Sequence, residues 1–255
     1  MDYDIKQESG FSYLEIGEGD NLLLLHGLFG ELSNFGGLIE HFSQNYRVVV
    51  PVLPLYTLPV KETTVASLVD YVSQFVAYKG YDSVHVVGNS LGGHVGLLFA
   101  LDNADRIETL TLTGSSGLYE NSLGGTFPKR GTYQYIKTKT EEIFYDHKVA
   151  TKELVDTVFE IVNDNEKVIR ILYMARSAIR HNLREELHQL TMPSLLIWGK
   201  EDTITPPFVG EEFEDLLPNS RLVLLDKCGH APMMEKPEEF NQHLECFLNE
   251  VVHEY

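Results

Sequence analysis

The stretch that decides the fold class is VVGNSLGGHVG, at residues 86–96. Its centre, GNSLG at residues 88–92, matches the pattern G-x-S-x-G, with an apolar run before it and a small-residue stretch after it. This arrangement predicts a strand, a tight turn and a helix. The glycines leave room where any Cβ would meet neighbouring backbone, so the turn can hold a serine with its hydroxyl exposed. Ser90 is therefore the candidate nucleophile.

Composition excludes several classes of partner. Hydrophobic residues make up 43% of the 255 residues and charged residues 23%, as in ordinary globular proteins. The formal net charge of −18 predicts repulsion from nucleic-acid phosphates. No apolar run approaches about 18 residues, so no membrane span is expected. Two cysteines without a metal-site spacing and a polar, acidic start to the chain favour a reduced, cytoplasmic setting.

Apolar runs alternate with amphipathic stretches through most of the chain. The predicted strands cover residues 11–16, 22–25, 48–53, 83–87, 107–112, 194–198 and 221–225. The predicted helices cover residues 64–78, 91–101, 206–217 and 237–251, the first with an apolar stripe at positions 65, 68, 69, 72, 75 and 76. This alternation predicts an α/β fold with a mostly parallel sheet and helices on both faces.

The alternation stops after residue 114. Residues 115–133 are rich in Gly, Ser and Pro, and residues 133–190 have helical periodicity. We therefore expect a core domain formed by residues 1–114 and 191–255, and a helical insertion over residues 115–190.

Two later loops contain the partners that a serine nucleophile needs. Asp202 follows the predicted strand at 194–198, and His230 follows the strand at 221–225. Both loops leave the same edge of the predicted sheet as the Ser90 turn. His230 would take the hydroxyl proton, and Asp202 would orient the imidazole and stabilise its cation. Glu201 and Asp226 compete with Asp202 as the acid.

Backbone groups beside Ser90 are candidates for an oxyanion hole. Leu91 begins the predicted helix, so its N–H points toward the site. Leu28 lies in HGLFG at residues 26–30, directly after a buried strand, and could supply a second N–H. We interpret His85 and His94 as packed histidines, because one lies inside a predicted strand and the other inside a predicted helix.

Four segments resemble the α/β-hydrolase superfamily: LLLLHGLFG, HVVGNSLGGHVG, LLIWGKEDTITPP and LDKCGHAPMMEKPEEF. They occur in the order expected for that superfamily and together span nearly the whole chain. The resemblance implies an α/β-hydrolase fold whose insertion at residues 115–190 is a helical cap covering the active site. A catalytic triad formed by Ser90, Asp202 and His230 would need no cofactor, and the sequence contains no evident metal-ligand cluster.

A narrower similarity is to the meta-cleavage-product hydrolases, which cut a C–C bond in vinylogous 1,5-diketones. It rests on GNSLGG, on residues 34–35 and on the stretch IFYDHKVATKELVDTVFE. Those enzymes bind a substrate carboxylate with a cap arginine, and the resemblance places three arginines in the comparable region: Arg170, Arg176 and Arg180. The chain departs from them at HGLFG and at VPVLPLYTLP, residues 50–59, so the substrate class stays open.

Three functions follow from these observations. The leading one is a serine hydrolase that acts on a small ester or acyl substrate, with Asn89, Phe29 and Arg176 as candidate substrate contacts. The second is a C–C hydrolase or another acyl-transfer enzyme, and the third is a binding protein without catalysis. An apolar pocket is expected from six side chains of the cap: Phe127, Phe144, Tyr145, Phe159, Tyr173 and Met174. The sequence leaves both a monomer and a homodimer open.

Overall fold

The computed structural model describes residues 3–30, 32–120 and 129–253. Within them lies one sheet with the strand order β1-β2-β4-β3-β5-β6-β7-β8. The strands are β1 (Lys6–Glu8), β2 (Phe11–Ile16), β3 (Asn21–Leu25), β4 (Arg47–Pro51), β5 (Val84–Asn89), β6 (Ile107–Thr113), β7 (Ser194–Gly199) and β8 (Ser220–Leu225). β2 pairs antiparallel with β1 and β4, and the other pairs are parallel. The predicted mostly parallel sheet is confirmed.

Helices pack on both faces of this sheet, and the described residues form nine α-helices in all. They are α1 (Gly36–Phe42), α2 (Val65–Lys79), α3 (Leu91–Asp102), α4 (Tyr133–Glu141), α5 (Lys152–Asn163), α6 (Asn165–Arg180), α7 (Pro207–Leu216), α8 (Pro232–Glu235) and α9 (Pro237–His253). Leu23 and Leu25 of β3 belong to the core cluster shared with α2 and α3, whereas Leu22 and Leu24 belong to the cluster shared with α1 and α9. Successive side chains of a strand point to opposite faces, so this one apolar run fills both cores.

Helix α2 shows how local sequence sets an element's position. All six side chains of its predicted apolar stripe are buried. The Thr64 hydroxyl accepts a hydrogen bond from the Ser67 N–H at 3.2 Å, which caps the first turn. Gly80 adopts a φ of 66° and ends the helix in a left-handed conformation that glycine reaches without steric cost.

The segment between β6 and β7 contains three of the described α-helices. It contains α4, α5 and α6, and a small apolar cluster of Ile136, Val158 and Val162 joins α4 to α5. Residues 121–128, which include the predicted pocket residue Phe127, lie outside the described ranges. The division into a core and a cap at residues 115–190 stays a prediction.

A close approach of two backbones fixes the start of α3. A Cβ added to Gly92 would lie 2.0 Å from the Leu25 carbonyl oxygen and 2.7 Å from the His26 carbonyl oxygen. Neither oxygen can move without disturbing β3. We therefore expect Gly92→Ala to lower the free energy of unfolding by about 3 kcal/mol or more, measured by urea denaturation.

Gly96 on the same helix is the matched control. A Cβ there would lie 3.2 Å from its nearest neighbour, the terminal Cγ1 of Val86. A side-chain methyl can shift, and alanine favours a helix over glycine, so Gly96→Ala should change stability by less than about 1 kcal/mol. Equal losses for the two variants would contradict the assignment of the Gly92 effect to backbone contact.

Candidate active site

Ser90 occupies a tight turn between β5 and α3. Its backbone has a φ of 54° and a ψ of −119°, an unusual conformation for a residue with a Cβ. Its N–H donates to the Thr113 carbonyl at 3.1 Å, and its own carbonyl accepts from the Gly93 N–H at 3.0 Å. A Cβ on Gly88 would lie 2.6 Å from the Gly92 carbonyl oxygen, so the turn requires glycine there. These contacts hold Ser90 in the strained conformation.

Asp202 and His230 form a buried pair. Asp202 Oδ2 lies 2.9 Å from His230 Nδ1. Asp202 also accepts hydrogen bonds from the Ile204 N–H at 2.8 Å, the Thr205 N–H at 2.9 Å and the Thr205 hydroxyl at 2.9 Å. A carboxylate that receives four hydrogen bonds is well placed to accept the Nδ1 proton of His230. The Nε2 atom of that ring is then an acceptor.

The loops after β7 and β8 are bound to each other. The Lys200 N–H donates to the Leu225 carbonyl at 3.0 Å, and the Glu201 N–H donates to the Cys228 carbonyl at 3.0 Å. The Glu201 carboxylate accepts from the Cys228 N–H at 2.8 Å, and Asp226 pairs with Lys200 on the surface at 2.7 Å. Both acids that compete with Asp202 in the sequence are therefore engaged away from the His230 ring.

Asn89 connects the Ser90 turn to the His230 loop. Its side-chain Nδ2 donates to the Thr113 carbonyl at 3.1 Å and to the His230 carbonyl at 3.3 Å. Among the described residues, no hydrogen bond joins the Ser90 hydroxyl to the His230 ring, and such contacts often tighten only when substrate binds. Asn89, predicted to contact substrate, is buried and donates its amide hydrogens to these two carbonyls.

The loop after β3 lies against Ser90. A Cβ on Gly27 would come 3.2 Å from Ser90 Cβ, so glycine lets the backbone approach the nucleophile. His26 supports this loop: its Nε2 accepts from the Leu53 N–H at 3.0 Å, so its Nδ1 carries the proton that is donated to the Gly27 carbonyl at 2.9 Å. Burial lowers the pKa of His26, which favours this neutral form. The position of His26 in the sequence did not indicate this role.

The side chains of Leu28 and Phe29 contact different parts of the protein. Leu28 lines a cavity beside Ser90, and its carbonyl accepts from the Tyr56 hydroxyl at 2.8 Å. Phe29 instead packs against the apolar cluster of α4 and α5. It does not line that cavity, so a substrate contact by Phe29 is not supported there.

The cavity beside Ser90 has a volume of about 280 Å³. Its lining combines the core with helix α6 and includes Leu28, Ser90, Leu91, Leu172, Met174 and Arg176. Arg176 forms no ion pair or hydrogen bond with the described residues. Arg170, by contrast, donates from Nε to the Leu58 carbonyl at 2.8 Å, and so anchors α6 to the core.

Of the apolar cap side chains predicted to form the pocket, Met174 alone is among the described lining residues of this cavity. Phe144 is buried in the core cluster shared with α9, Phe159 packs on Tyr133, and Tyr145 and Tyr173 are exposed. Helical periodicity could identify apolar positions but not the face that each one covers.

His94 lies fully buried in α3, as expected for a packed histidine. Its Nε2 lies 2.8 Å from the His181 carbonyl oxygen, which can only accept, so Nε2 carries the proton. Its Nδ1 lies 3.4 Å from the Ser116 hydroxyl. Burial lowers the pKa of His94 to about 4. His85, the other histidine interpreted as packed, is buried beside Thr109.

The low pKa of His94 predicts a loss of stability in acid. An unfolded histidine binds a proton below a pH of about 6.5, whereas the folded protein resists protonation down to about pH 4. As the pH falls through that window, the contribution of His94 to the free energy of unfolding should therefore decrease by up to about 1.4 kcal/mol per pH unit. Urea denaturation at pH 7 and pH 5 should show a smaller acid loss for His94→Gln than for wild type. The exposed His188→Gln variant, the control, should show the wild-type loss.

Residues 3–30, 32–120 and 129–253 contain no group of three or more His, Cys, Asp and Glu side chains arranged to hold a metal ion. In the same ranges, every helix is too short or too polar to cross a bilayer.

Comparison with known proteins places this geometry in a family. A model of the alpha/beta hydrolase family matches residues 22–243. The chain is similar to the pimeloyl-(acyl-carrier protein) methyl ester esterase of Nitrosomonas europaea, with 28% identity over 253 residues that cover 91% of this chain and 95% of the relative. It is also similar to the 2-hydroxy-6-oxo-6-phenylhexa-2,4-dienoate hydrolase of Comamonas testosteroni, with 26% identity covering 93% of this chain and 91% of the relative.

A solved structure extends the comparison. It is an alpha/beta hydrolase enzyme from the metagenome of sediments of the Mar Chica lagoon in Morocco, 42% identical, with a TM-score of 0.81 over 97% of this chain and 98% of that one. The α/β-hydrolase fold predicted from four motifs is thus confirmed. Since the family model spans most of the chain and the named relatives are hydrolases, this chain is a hydrolase and belongs to the alpha/beta hydrolase family.

Proposed function

We propose that the chain is a serine hydrolase that cleaves small esters through an acyl-enzyme, with Ser90 as nucleophile. The observation that carries the proposal is the strained Ser90 turn at a 280 Å³ cavity. Backbone strain in a residue with a Cβ persists only where the surrounding structure enforces it, and it concentrates at functional sites. The Asp202–His230 pair on the neighbouring loops supports the same function.

The chemistry follows from the hydrogen-bond roles. His230 Nε2 accepts the Ser90 proton as Oγ attacks the ester carbonyl carbon, and Asp202 stabilises the resulting imidazolium. The backbone N–H groups of Leu28 and Leu91 would donate to the oxyanion that forms. His230 then gives its proton to the departing alcohol. Water, activated by the same ring, releases the acid and restores Ser90.

Covalent labelling tests this function directly. A fluorophosphonate reacts with activated serines, so it should label the wild-type protein and fail to label Ser90→Ala. Mass spectrometry of the digest should locate the adduct on the peptide that contains Ser90. A control variant, Ser83→Ala, changes a serine near the start of the same strand and should label normally. Absence of wild-type labelling, together with no hydrolysis of p-nitrophenyl esters, would refute the proposal.

Arg176 favours a second candidate, cleavage of a C–C bond in a dienoate. It lines the cavity without an ion-pair partner among the described residues, and a substrate carboxylate could occupy that position. The relative from Comamonas testosteroni is named for a substrate of this kind. The same triad would serve, with a carbon acid rather than an alcohol as the leaving group.

The phenyl-substituted 2-hydroxy-6-oxohexadienoate named for that relative is the substrate that tests this candidate. If C–C cleavage is the activity, wild type should consume it, and Arg176→Gln should raise KM by about tenfold or more through loss of a charge-assisted hydrogen bond. Arg180→Gln, on the same helix but outside the cavity lining, is the control and should keep the wild-type KM. No consumption by the wild type, alongside measurable ester hydrolysis, would leave ester cleavage as the function.

A further inference from the structure

One wall of the Ser90 cavity is polar. It comes from the segment that follows β6, where Ser116 and Glu120 line the cavity beside Tyr119. The Ser116 N–H donates to the Ser90 carbonyl at 3.2 Å, so this wall is fixed directly against the nucleophile turn. The side chains that α6 contributes to the cavity are apolar except for Arg176, and they include Leu172, Met174 and Ile179. A polar group in such a cavity costs stability unless a partner satisfies it.

The Ser116 hydroxyl has no hydrogen left for a ligand. Its two neighbours are His94 Nδ1 at 3.4 Å and the Ser90 carbonyl oxygen at 3.5 Å. The carbonyl is an acceptor, and so is Nδ1, because the His94 proton is on Nε2. The single hydroxyl hydrogen therefore goes to one of them, which leaves the oxygen able to accept a hydrogen bond from a ligand in the cavity that Ser116 lines.

Glu120 adds acceptors to the same wall. Its Oε1 accepts from the Gly117 N–H at 2.8 Å, which fixes the carboxyl group. Its Oε1 also lies 3.9 Å from His94 Nδ1, but that atom carries no proton in the neutral ring. No Lys or Arg of the described ranges pairs with Glu120, and Oε2 has no hydrogen-bond partner there. Burial raises the pKa of Glu120, as expected for a carboxyl group that lacks a cationic neighbour.

We propose that Ser116 and Glu120 form a specificity site that binds a hydrogen-bond donor of the substrate, a hydroxyl or an amine. A wall that offers acceptors is satisfied by a donor and repels an ether or carbonyl oxygen. The preferred substrates are therefore esters with a hydroxyl or amine group a few atoms from the scissile carbonyl. The proposal rests on ester hydrolysis at Ser90, and it names the class of ester.

Matched ester pairs test the site. On the acyl side, methyl 3-hydroxybutyrate and methyl 3-aminobutyrate are compared with methyl 3-methoxybutyrate. On the alcohol side, glycerol 1-butyrate is compared with 2,3-dimethoxypropyl butyrate. In at least one set, the wild-type kcat/KM should be about tenfold or more higher for a donor-bearing ester than for its methoxy counterpart. The reason is that the methoxy ester leaves the polar groups of the site without a hydrogen-bond partner. The set that shows the preference identifies the side of the ester that reaches Glu120, and the hydroxyl and amine members identify the donor.

Glu120→Gln reverses the chemistry of the wall with little change in shape. Its carbonyl can still accept from the Gly117 N–H, while its amide group places a donor in the cavity. The preference for donor-bearing esters should fall by about tenfold, because kcat/KM for those esters drops when the acceptor is replaced by a donor. Ser116→Ala should weaken the same preference. Glu185→Gln, an exposed carboxylate away from the cavity lining, should keep the wild-type preference.

The outcomes separate this site from the proposed function. If fluorophosphonate labels Ser90 and the wild type cleaves every ester of both sets at the same rate, ester hydrolysis is upheld and the specificity site is overturned. An unchanged preference in a folded Glu120→Gln variant would overturn it too. If no ester is cleaved, calorimetric binding of the same pairs to Ser90→Ala still decides: tighter binding of a donor-bearing ester supports the site, and equal binding refutes it.

Discussion

Replacing Ser90 with alanine is expected to lower kcat/KM for ester hydrolysis by about 10⁴-fold or more. The variant loses the hydroxyl that would form the proposed acyl-enzyme, while the Asp202–His230 pair and the proposed oxyanion donors are retained. Residual hydrolysis would have to come from water held in the same cavity. Initial rates with p-nitrophenyl butyrate over a range of enzyme concentrations measure the loss. A variant that retains a tenth of the wild-type rate would show that Ser90 is not the nucleophile.

Stability measurements on the same position separate chemistry from folding. Alanine retains the Cβ and therefore the strain of a φ of 54°, so the free energy of unfolding should stay within about 0.5 kcal/mol of wild type. Ser90→Gly removes that Cβ and should be about as inactive, yet more stable than Ser90→Ala by about 1 kcal/mol. A glycine variant less stable than the alanine variant would argue against strain in the Ser90 turn.

Asp202→Asn is the second change with a large expected effect, a loss in kcat of about 10⁴-fold. The Asp202 carboxylate accepts from Ile204, Thr205 and His230 at once. An asparagine amide group must face either the backbone N–H groups or the His230 ring. If it faces the ring, Nδ1 becomes the acceptor, and the ring proton moves to Nε2, the atom that would receive the Ser90 proton in the proposed mechanism.

Asp226→Asn is the matched control for that loss. Asp226 is the acid that competes with Asp202 in the sequence, and its carboxylate pairs with Lys200 on the surface. The control should keep activity within about twofold of wild type, because an exposed ion pair contributes little. A comparable loss in both variants would mean that the charge of this loop region matters rather than the orientation of His230.

The sheet could be predicted because its strands are short apolar runs between turns. Three elements were missed for physical reasons. β1 (Lys6–Glu8) has no apolar residue and is held by pairing with β2. α1 begins with two glycines, which have low helix propensity, and it is stabilised by packing against α9. α8 has only four residues, too few for a periodic pattern.

The candidate site was predictable only where chemistry follows from residue type and order. Ser90, Asp202 and His230 belong to motifs, and their catalytic roles stay predictions that the variants above test. His26 and Glu120 could not be assigned, because their roles depend on Leu53 and Gly117, partners that only the folded chain identifies. Thr205 had a weak signal, since a residue three positions after an aspartate often closes a turn on it.

The position of Phe29 would couple substrate entry to the formation of the proposed oxyanion hole. Its ring is held among the helices α4 and α5, while the adjoining Leu28 supplies a cavity wall and the candidate donor to the oxyanion. If substrate entry requires these helices to lift, that movement would also remove the packing that holds Phe29. The open protein would then expose its nucleophile without a fully arranged oxyanion hole. Reactivity would be confined to the closed complex, and a chance encounter of the open form with an unrelated ester would be unproductive.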